Sequence, residues 1–417
     1  MVKFTNDIYN LYSPAFLNAN GRLISVMCRA AAGHDWGYIE LVSSISGDEG
    51  KSWSKLKPIA VPPARHVNDD INNTRTAFFL QPSLVQAENG DIILITAFLP
   101  ESRGKGDMSF LEKKKAAFAL FDSQQCQVIY DKDGNYFLVL NDGKVIDAHK
   151  RLTPYRVKQL GELYKDKEYV GNIFLNGAKG KEGRVSTTFG APLKAPKRSY
   201  IYVMISKDSG ETWSEPKDIS ASVLTEKDGP YVITASGNSL ITHTGRIIVP
   251  LYSPEGTICI YSDDNGESWG RNRRAPYTEC GDFWSIANVG SRQLYAVGNN
   301  GNKTPSALSN DNGITWYKAD KVGFKAFTSK KSIISANNKL YVSHACRKDL
   351  SGQVSVGMLD FDRHGKISRI NWKDDSIKFC SGEIGESCLA LINRSTLGIM
   401  YENDKTVVFD KINLSED

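Results

Sequence analysis

Four segments of the chain fit one pattern, Ser-x-Asp-x-Gly-x-Ser/Thr-Trp, at residues 46–53, 206–213, 262–269 and 309–316. Five fixed positions recurring four times do not arise by chance, so the fold must be assembled from copies of one unit. The chemistry of the pattern is that of a hairpin turn. An Asp carboxylate accepts hydrogen bonds from backbone N–H groups two or three residues on. Gly supplies a backbone with positive φ, and the Ser or Thr hydroxyls satisfy other turn groups. The Trp buries a large apolar surface and locks the hairpin to its neighbour. Asp48, Asp208, Asp264 and Asp311 therefore read as structural residues. Strand-like runs at 39–45, 200–205 and 256–261 precede the first three copies. The last three copies start at 206, 262 and 309, a spacing that suits one four-stranded propeller blade.

The first and second copies start at 46 and 206, too far apart for one blade. Residues 102–172 read differently from their surroundings. A Lys- and Gly-rich opening leads into strand-like pieces separated by hairpin-turn chemistry at 131–134 and 141–143. The expected organisation is a propeller over 1–101 and 173–417, with a β-rich insertion over 102–172.

In the 417 residues, 41% are apolar and 24% charged, which is ordinary for a packed globular chain. The net charge of +5 comes without a Lys/Arg stripe, which argues against a nucleic-acid partner. No run of about 18 apolar residues occurs, so no membrane-spanning helix is expected. The N-terminal segment lacks the apolar run of a leader, and a cytoplasmic location is the default expectation. The seven cysteines are scattered, with no CxxC. They predict free thiols, no metal site and no disulfide framework.

The repeat resembles the Asp-box of the sialidase superfamily. That resemblance implies an all-β, six-bladed β-propeller, with the boxes at the outer rim and away from the pocket. The segment carrying Tyr155-Arg156-Val157, Tyr164 and Gly171-Asn172-Ile173-Phe174 resembles an insertion in a bacterial subgroup that includes intramolecular trans-sialidases. It places the insertion in the second blade. The superfamily's chemistry uses a Tyr nucleophile activated by a Glu, an Asp as acid and base, and three arginines on the substrate carboxylate.

Carried over residue by residue, the resemblance assigns Asp35, in Asp35-Trp36-Gly37, as acid/base and Arg29 as a substrate contact. Glu279, in Tyr277-Thr278-Glu279, matches the activating Glu. The rest departs from the family. Tyr12 stands where the first arginine belongs, as a substrate contact in its place, and the stretch 296–300 lacks the second. Arg347 is the nearest match to the third. Counting back from Tyr401-Glu402 to the nucleophile position lands on Glu386. A carboxylate nucleophile is no longer penalised when the sugar lacks a carboxylate at the anomeric carbon. Glu279 and Glu386 therefore read as a nucleophile and base pair. Trp36, Tyr277 and Trp284, with Tyr252 and Phe283, are expected to line the pocket. Arg75, Arg271, Arg273 and Arg274 are candidate replacement cations.

These readings lead to an exo-glycoside hydrolase that needs no cofactor or metal. Its partner would be a glycan with a terminal sialic-acid-like or related sugar. The alternatives are a binding protein without catalysis, and a lyase or intramolecular transferase.

Overall fold

A computed structural model of the chain describes residues 1–5, 9–31, 39–65, 75–101, 111–112, 115–176, 191–235, 237–272, 282–290, 292–300, 303–327 and 330–414. The architecture is all-β and propeller-like, built from antiparallel sheets that follow one another along the chain. Strands Tyr9–Ala19, Arg22–Ala31, Ile39–Ser46 and Lys57–Ala60 form one unit. Phe78–Gln86, Ile92–Leu99, Tyr200–Ser206 and Lys217–Asp218 form the next. A single parallel pair, Ile39 with Phe78, joins the two into one eight-stranded sheet.

The following sheet is centred on Ile247–Ser253 and Gly256–Ser262. The next runs through Asp282–Gly290, Gln293–Asn299, Ser306–Ser309 and Tyr317–Lys318. Another is centred on Lys339–Ala345 and Ser351–Phe361. The last carries Ser387–Asn393, Thr396–Asn403 and Thr406–Asn413, and takes Val2–Phe4 from the start of the chain as its outer strand. The first strand of each unit lies against the first strands of its neighbours. Tyr9–Ala19 touches both Phe78–Gln86 and Ser387–Asn393, and Ser332–Ala336 touches both Asp282–Gly290 and Ser387–Asn393.

Each repeat is a closed hydrogen-bonded turn. In the second, the Ser206 hydroxyl donates to Asp208 at 2.8 Å and accepts the Gly210 N–H at 2.8 Å. The same Asp208 oxygen takes the Thr212 N–H at 2.9 Å, and the other oxygen takes the Thr212 hydroxyl at 2.6 Å. The same set recurs at Asp48, Asp264 and Asp311. The carboxylate thus reaches four residues on, further than the sequence suggested. The residue before each Gly is also left-handed, although it is Glu49, Ser209, Asn265 or Asn312 and never Gly.

The glycines have a second duty, which is contact with the preceding unit. A Cβ on Gly210 would meet Ile24 at 3.1 Å, one on Gly266 would meet Ile93 at 2.6 Å, and one on Gly313 would meet Ile248 at 2.9 Å. A Cβ on Gly50 would run into the Phe409 ring of the last sheet. The boxes therefore seat one unit on the next.

These bonds hold Asp208 at about 2, led by the Thr212 hydroxyl and then the Thr212 N–H. The folded state therefore releases this proton more readily than the unfolded chain. Its stabilisation is complete above the ordinary value of 3.8 and is lost as the pH falls to about 2. Asp208→Asn is expected to lower Tm by roughly 2–4 °C at pH 7, with the gap to wild type closing as the pH approaches 2. Thermal melts at stepped pH check this, and a gap independent of pH would contradict it.

The insertion is a seven-stranded meander running from Phe118–Phe121 to Glu168–Asn172. It has its own small core of Cys126, Val128, Leu138 and Ile146. It leaves after strand Ile92–Leu99, and the chain returns to that strand's partner, Tyr200–Ser206. Glu226 holds its start by accepting the Ala117 and Phe118 N–H groups at 2.8 and 3.0 Å.

Candidate active site

The starts of four units bring distant residues together around one carboxylate. Glu386 immediately precedes strand Ser387–Asn393. Its Oε1 accepts from Gln81 Nε2 at 2.8 Å and from the Lys330 ammonium. The Lys330 and Glu386 side chains are 13% and 18% exposed, so the pair is shielded but still reaches solvent.

Glu402, on strand Thr396–Asn403, frames Glu386 from behind. Its Oε1 accepts the Ser13 N–H at 2.5 Å and its Oε2 the Glu386 N–H at 3.3 Å. Its own N–H donates to the Glu386 carbonyl at 2.8 Å. Tyr231 completes the surroundings. Burial pushes its phenol up, and the nearby Tyr252 and Glu386 add to the effect.

Ser13 and Gln81 reach this point through an unusual backbone. Both have positive φ, 50° and 54°, and both stand directly before a proline. Each lies where the strand register slips, between Tyr12 and Ala15 and between Leu80 and Ser83. A non-glycine residue in this region costs about 1–3 kcal/mol, and such strain clusters at functional sites. Bulges of this kind re-aim a side chain out of the regular alternation.

Lys331 points the other way. Its ammonium donates to Asn299 Oδ1 and to the Phe327 carbonyl at 3.4 Å, and burial pushes it down to about 7. His344 is held neutral beside it. Burial lowers the ring to about 4, Nε2 meets the Ser355 hydroxyl at 2.8 Å, and the ring stacks on Phe324.

Of the residues singled out from the sequence, Glu386 is the one that this cluster surrounds. Arg29 is bound to Glu40 on the adjacent strand, with Nε to Oε1 at 2.7 Å, and lies 4.5 Å above the Tyr9 ring. Tyr12 is half-buried next to Ser13. Arg347 is exposed in the turn between strands Lys339–Ala345 and Ser351–Phe361. Arg271 is committed to Asp228 by a two-pronged ion pair at 2.5 and 3.1 Å.

Trp284 corrects the expectation of a sugar platform. It is fully buried, its indole N–H donates to the Leu251 carbonyl at 3.0 Å, and it packs edge-on against Trp316. It therefore has no face to offer a ligand. Asp35, Trp36, Arg273, Arg274, Tyr277 and Glu279 lie outside the described residues, as do the side chains of Arg75 and Phe283.

Lys330, Lys331 and Gln81 fall outside the arginine pattern that the resemblance implies. One signal was available for Gln81. Tyr12-Ser13-Pro14-Ala15-Phe16 and Leu80-Gln81-Pro82-Ser83-Leu84 share a pattern, and that pattern marks equivalent bulges. A groove of about 1170 Å³ lies elsewhere, between the insertion and the third Asp-box, lined by Gln124, Arg156, Lys217 and Trp269. It is remote from Glu386.

Comparison with known proteins agrees with this architecture. The BNR repeat-like domain family matches residues 170–417. A sialidase of Paraclostridium sordellii is 24% identical over 234 residues, 50% of this chain and 58% of that protein. The NanB sialidase of Streptococcus pneumoniae superposes with a TM-score of 0.81 at 18% identity, over 100% of this chain and 70% of that one. The intramolecular trans-sialidase of Ruminococcus gnavus superposes with a TM-score of 0.75 at 19% identity, over 97% of this chain and 94% of that one. At these identities the structural likeness speaks for the fold. The chain spans little more than half of the Paraclostridium protein's length. With the BNR repeat-like match over more than half of its residues and four Asp-boxes, the chain belongs to the sialidase superfamily.

Proposed function

We propose that the chain is an exo-acting glycoside hydrolase of the sialidase type, acting on a terminal sialic-acid-like or related sugar. The proposed scaffold is a six-bladed propeller over 1–101 and 173–417, with the insertion 102–172 in its second blade. Dividing the eight-stranded sheet at the Ile39–Phe78 bridge supports that reading.

The observation that carries the reading is Glu386, a carboxylate held by an ammonium and an amide where the first strands meet. In this scheme Glu386 attacks the anomeric carbon, while Asp35 gives its proton to the departing glycosidic oxygen. Water then displaces Glu386 from the glycosyl–enzyme, with Asp35 taking back a proton. Glu279 is the second carboxylate of the nucleophile and base pair. Arg29, Arg347 and the aromatics Trp36 and Tyr277 are proposed substrate contacts.

A second reading is favoured by the likeness to the Ruminococcus gnavus protein. In it, a hydroxyl of the same sugar takes the place of water, and the product is an anhydro sugar. Incubating the wild type and Asp35→Asn with α2,3-sialyl-lactose, followed by proton NMR, separates these outcomes. Release of free sugar by the wild type alone supports hydrolysis, and anhydro-sugar signals support the second reading. Binding without product from either protein would replace both with a binding role.

A further inference from the structure

We propose that Gln81 is the positioning residue of Glu386, anchoring its Oε1 together with Lys330 so that Oε2 is the oxygen that meets the sugar. This rests on Glu386 being the reacting carboxylate.

The geometry is specific. The Gln81 amide has two protons, and both are used. One goes to the Ser13 hydroxyl oxygen at 2.7 Å and the other to Glu386 Oε1 at 2.8 Å. Lys330 adds its contact to the same oxygen. Among the described residues, Oε2 takes no hydrogen bond. Among the described residues, the charged groups facing Glu386 are Lys330 and Glu402, with the Tyr231 phenol nearby. Lys330 already supplies the countercharge, so the amide contributes direction.

The backbone around Gln81 is built to hold that direction. The bulge removes carbonyls from the regular ladder, and hydroxyls from two sides replace the lost partners. Thr96 donates to the Leu80 carbonyl at 2.8 Å, and Thr234 of the next sheet donates to the Gln81 carbonyl. Pro82 fixes the exit. Ser13, which receives the second amide proton, sits in the matching bulge of the neighbouring first strand. A buried glutamine that only filled space would not require positive φ at both positions, because a regular strand holds a side chain without it.

The test compares Gln81→Met, which keeps length but has no donor, with Gln81→Glu, which keeps shape but adds a negative charge. Glu386→Gln is run in parallel, with 4-methylumbelliferyl α-N-acetylneuraminide as the probe. Loss of one hydrogen bond to a charged group predicts a roughly 10–100-fold lower kcat for Gln81→Met, with KM changed less than about threefold. The acid limb of its pH–rate profile should move to higher pH, and further in Gln81→Glu. Two folded variants with wild-type kcat and an unmoved acid limb would overturn the proposal. So would a lower kcat with an unmoved limb and a matching fall in Tm, which would make Gln81 purely structural. Full activity in Glu386→Gln, or no turnover by the wild type of either this sialoside or an uncharged 4-methylumbelliferyl glycoside, would instead remove the reading beneath it.

Discussion

Glu386→Gln is expected to lower kcat on a turned-over glycoside by about 1000-fold or more, with KM within a few-fold of wild type. An amide oxygen is too weak a nucleophile to form the glycosyl–enzyme, while the shape of the site is kept. The substituted side chain still presents an oxygen to the Gln81 amide and the Lys330 ammonium. Folding should therefore survive, with a cost of about 1–2 kcal/mol for losing the countercharge of a shielded ammonium. Glu386→Ala is the harsher change, because it strands both donors. The measurement is steady-state kinetics beside thermal melts for both variants. A Glu386→Gln protein with activity within tenfold of wild type would move the reacting group elsewhere. A large loss of activity matched by loss of folded protein would say nothing for catalysis, and Glu386→Gln is the variant designed to avoid that. The glutamine change also tests the ion pair, since Lys330 is then left facing a neutral group.

The contrast between the Asp-boxes and the site shows what this sequence makes legible. A box is local. Ser206, Asp208, Gly210 and Thr212 bond to one another within seven residues, so the pattern could be read as a turn without knowing its surroundings. The insertion strands were visible for the same reason, since turns such as Asp131–Asn135 close on themselves, with the Asp131 carboxylate taking the Asp133 and Asn135 N–H groups. Even here, the left-handed residue before each glycine left no mark in composition. The site is the opposite case. Ser13, Gln81, Lys330 and Glu386 come from separate units and meet only because the first strands do. Glu386 was reachable by counting back from Tyr401-Glu402, and Glu402 does prove to hold its backbone. No local rule points to Lys330. Trp284 failed for a related reason. Its place near a strand end said nothing about which face it occupied, and packing against Trp316 put it inside.

Gly50→Ala is expected to cost about 2–5 kcal/mol of stability, the largest effect of any single methyl group among the four boxes. Two terms add. Gly50 has a φ of 82°, where an L side chain costs about 1–2 kcal/mol. The new methyl would also collide with the Phe409 ring, and overpacking of this kind costs typically about 1–3 kcal/mol. Phe409 has little room to give way. It is 1% exposed and meets Phe16 at 5.6 Å and Trp53 at 5.2 Å between ring centroids. It also lies on the strand that pairs with Val2–Phe4, so the collision falls where the chain's first strand joins its last sheet. In the other boxes the nearest atom belongs to an isoleucine and lies 2.6–3.1 Å from the added carbon, a milder overlap than with the Phe409 ring, and the cost should be smaller. Gly21→Ala separates the two terms. Its φ is 88° and nothing lies within 4 Å of the added carbon, so it should cost only about 1–2 kcal/mol. Urea unfolding of both variants measures the difference. Phe409→Leu combined with Gly50→Ala should recover part of the loss, giving a coupling of about 1 kcal/mol or more. If Gly50→Ala costs no more than Gly21→Ala, the first box does not bear on the last sheet. The glycine of the repeat would then answer to turn geometry alone.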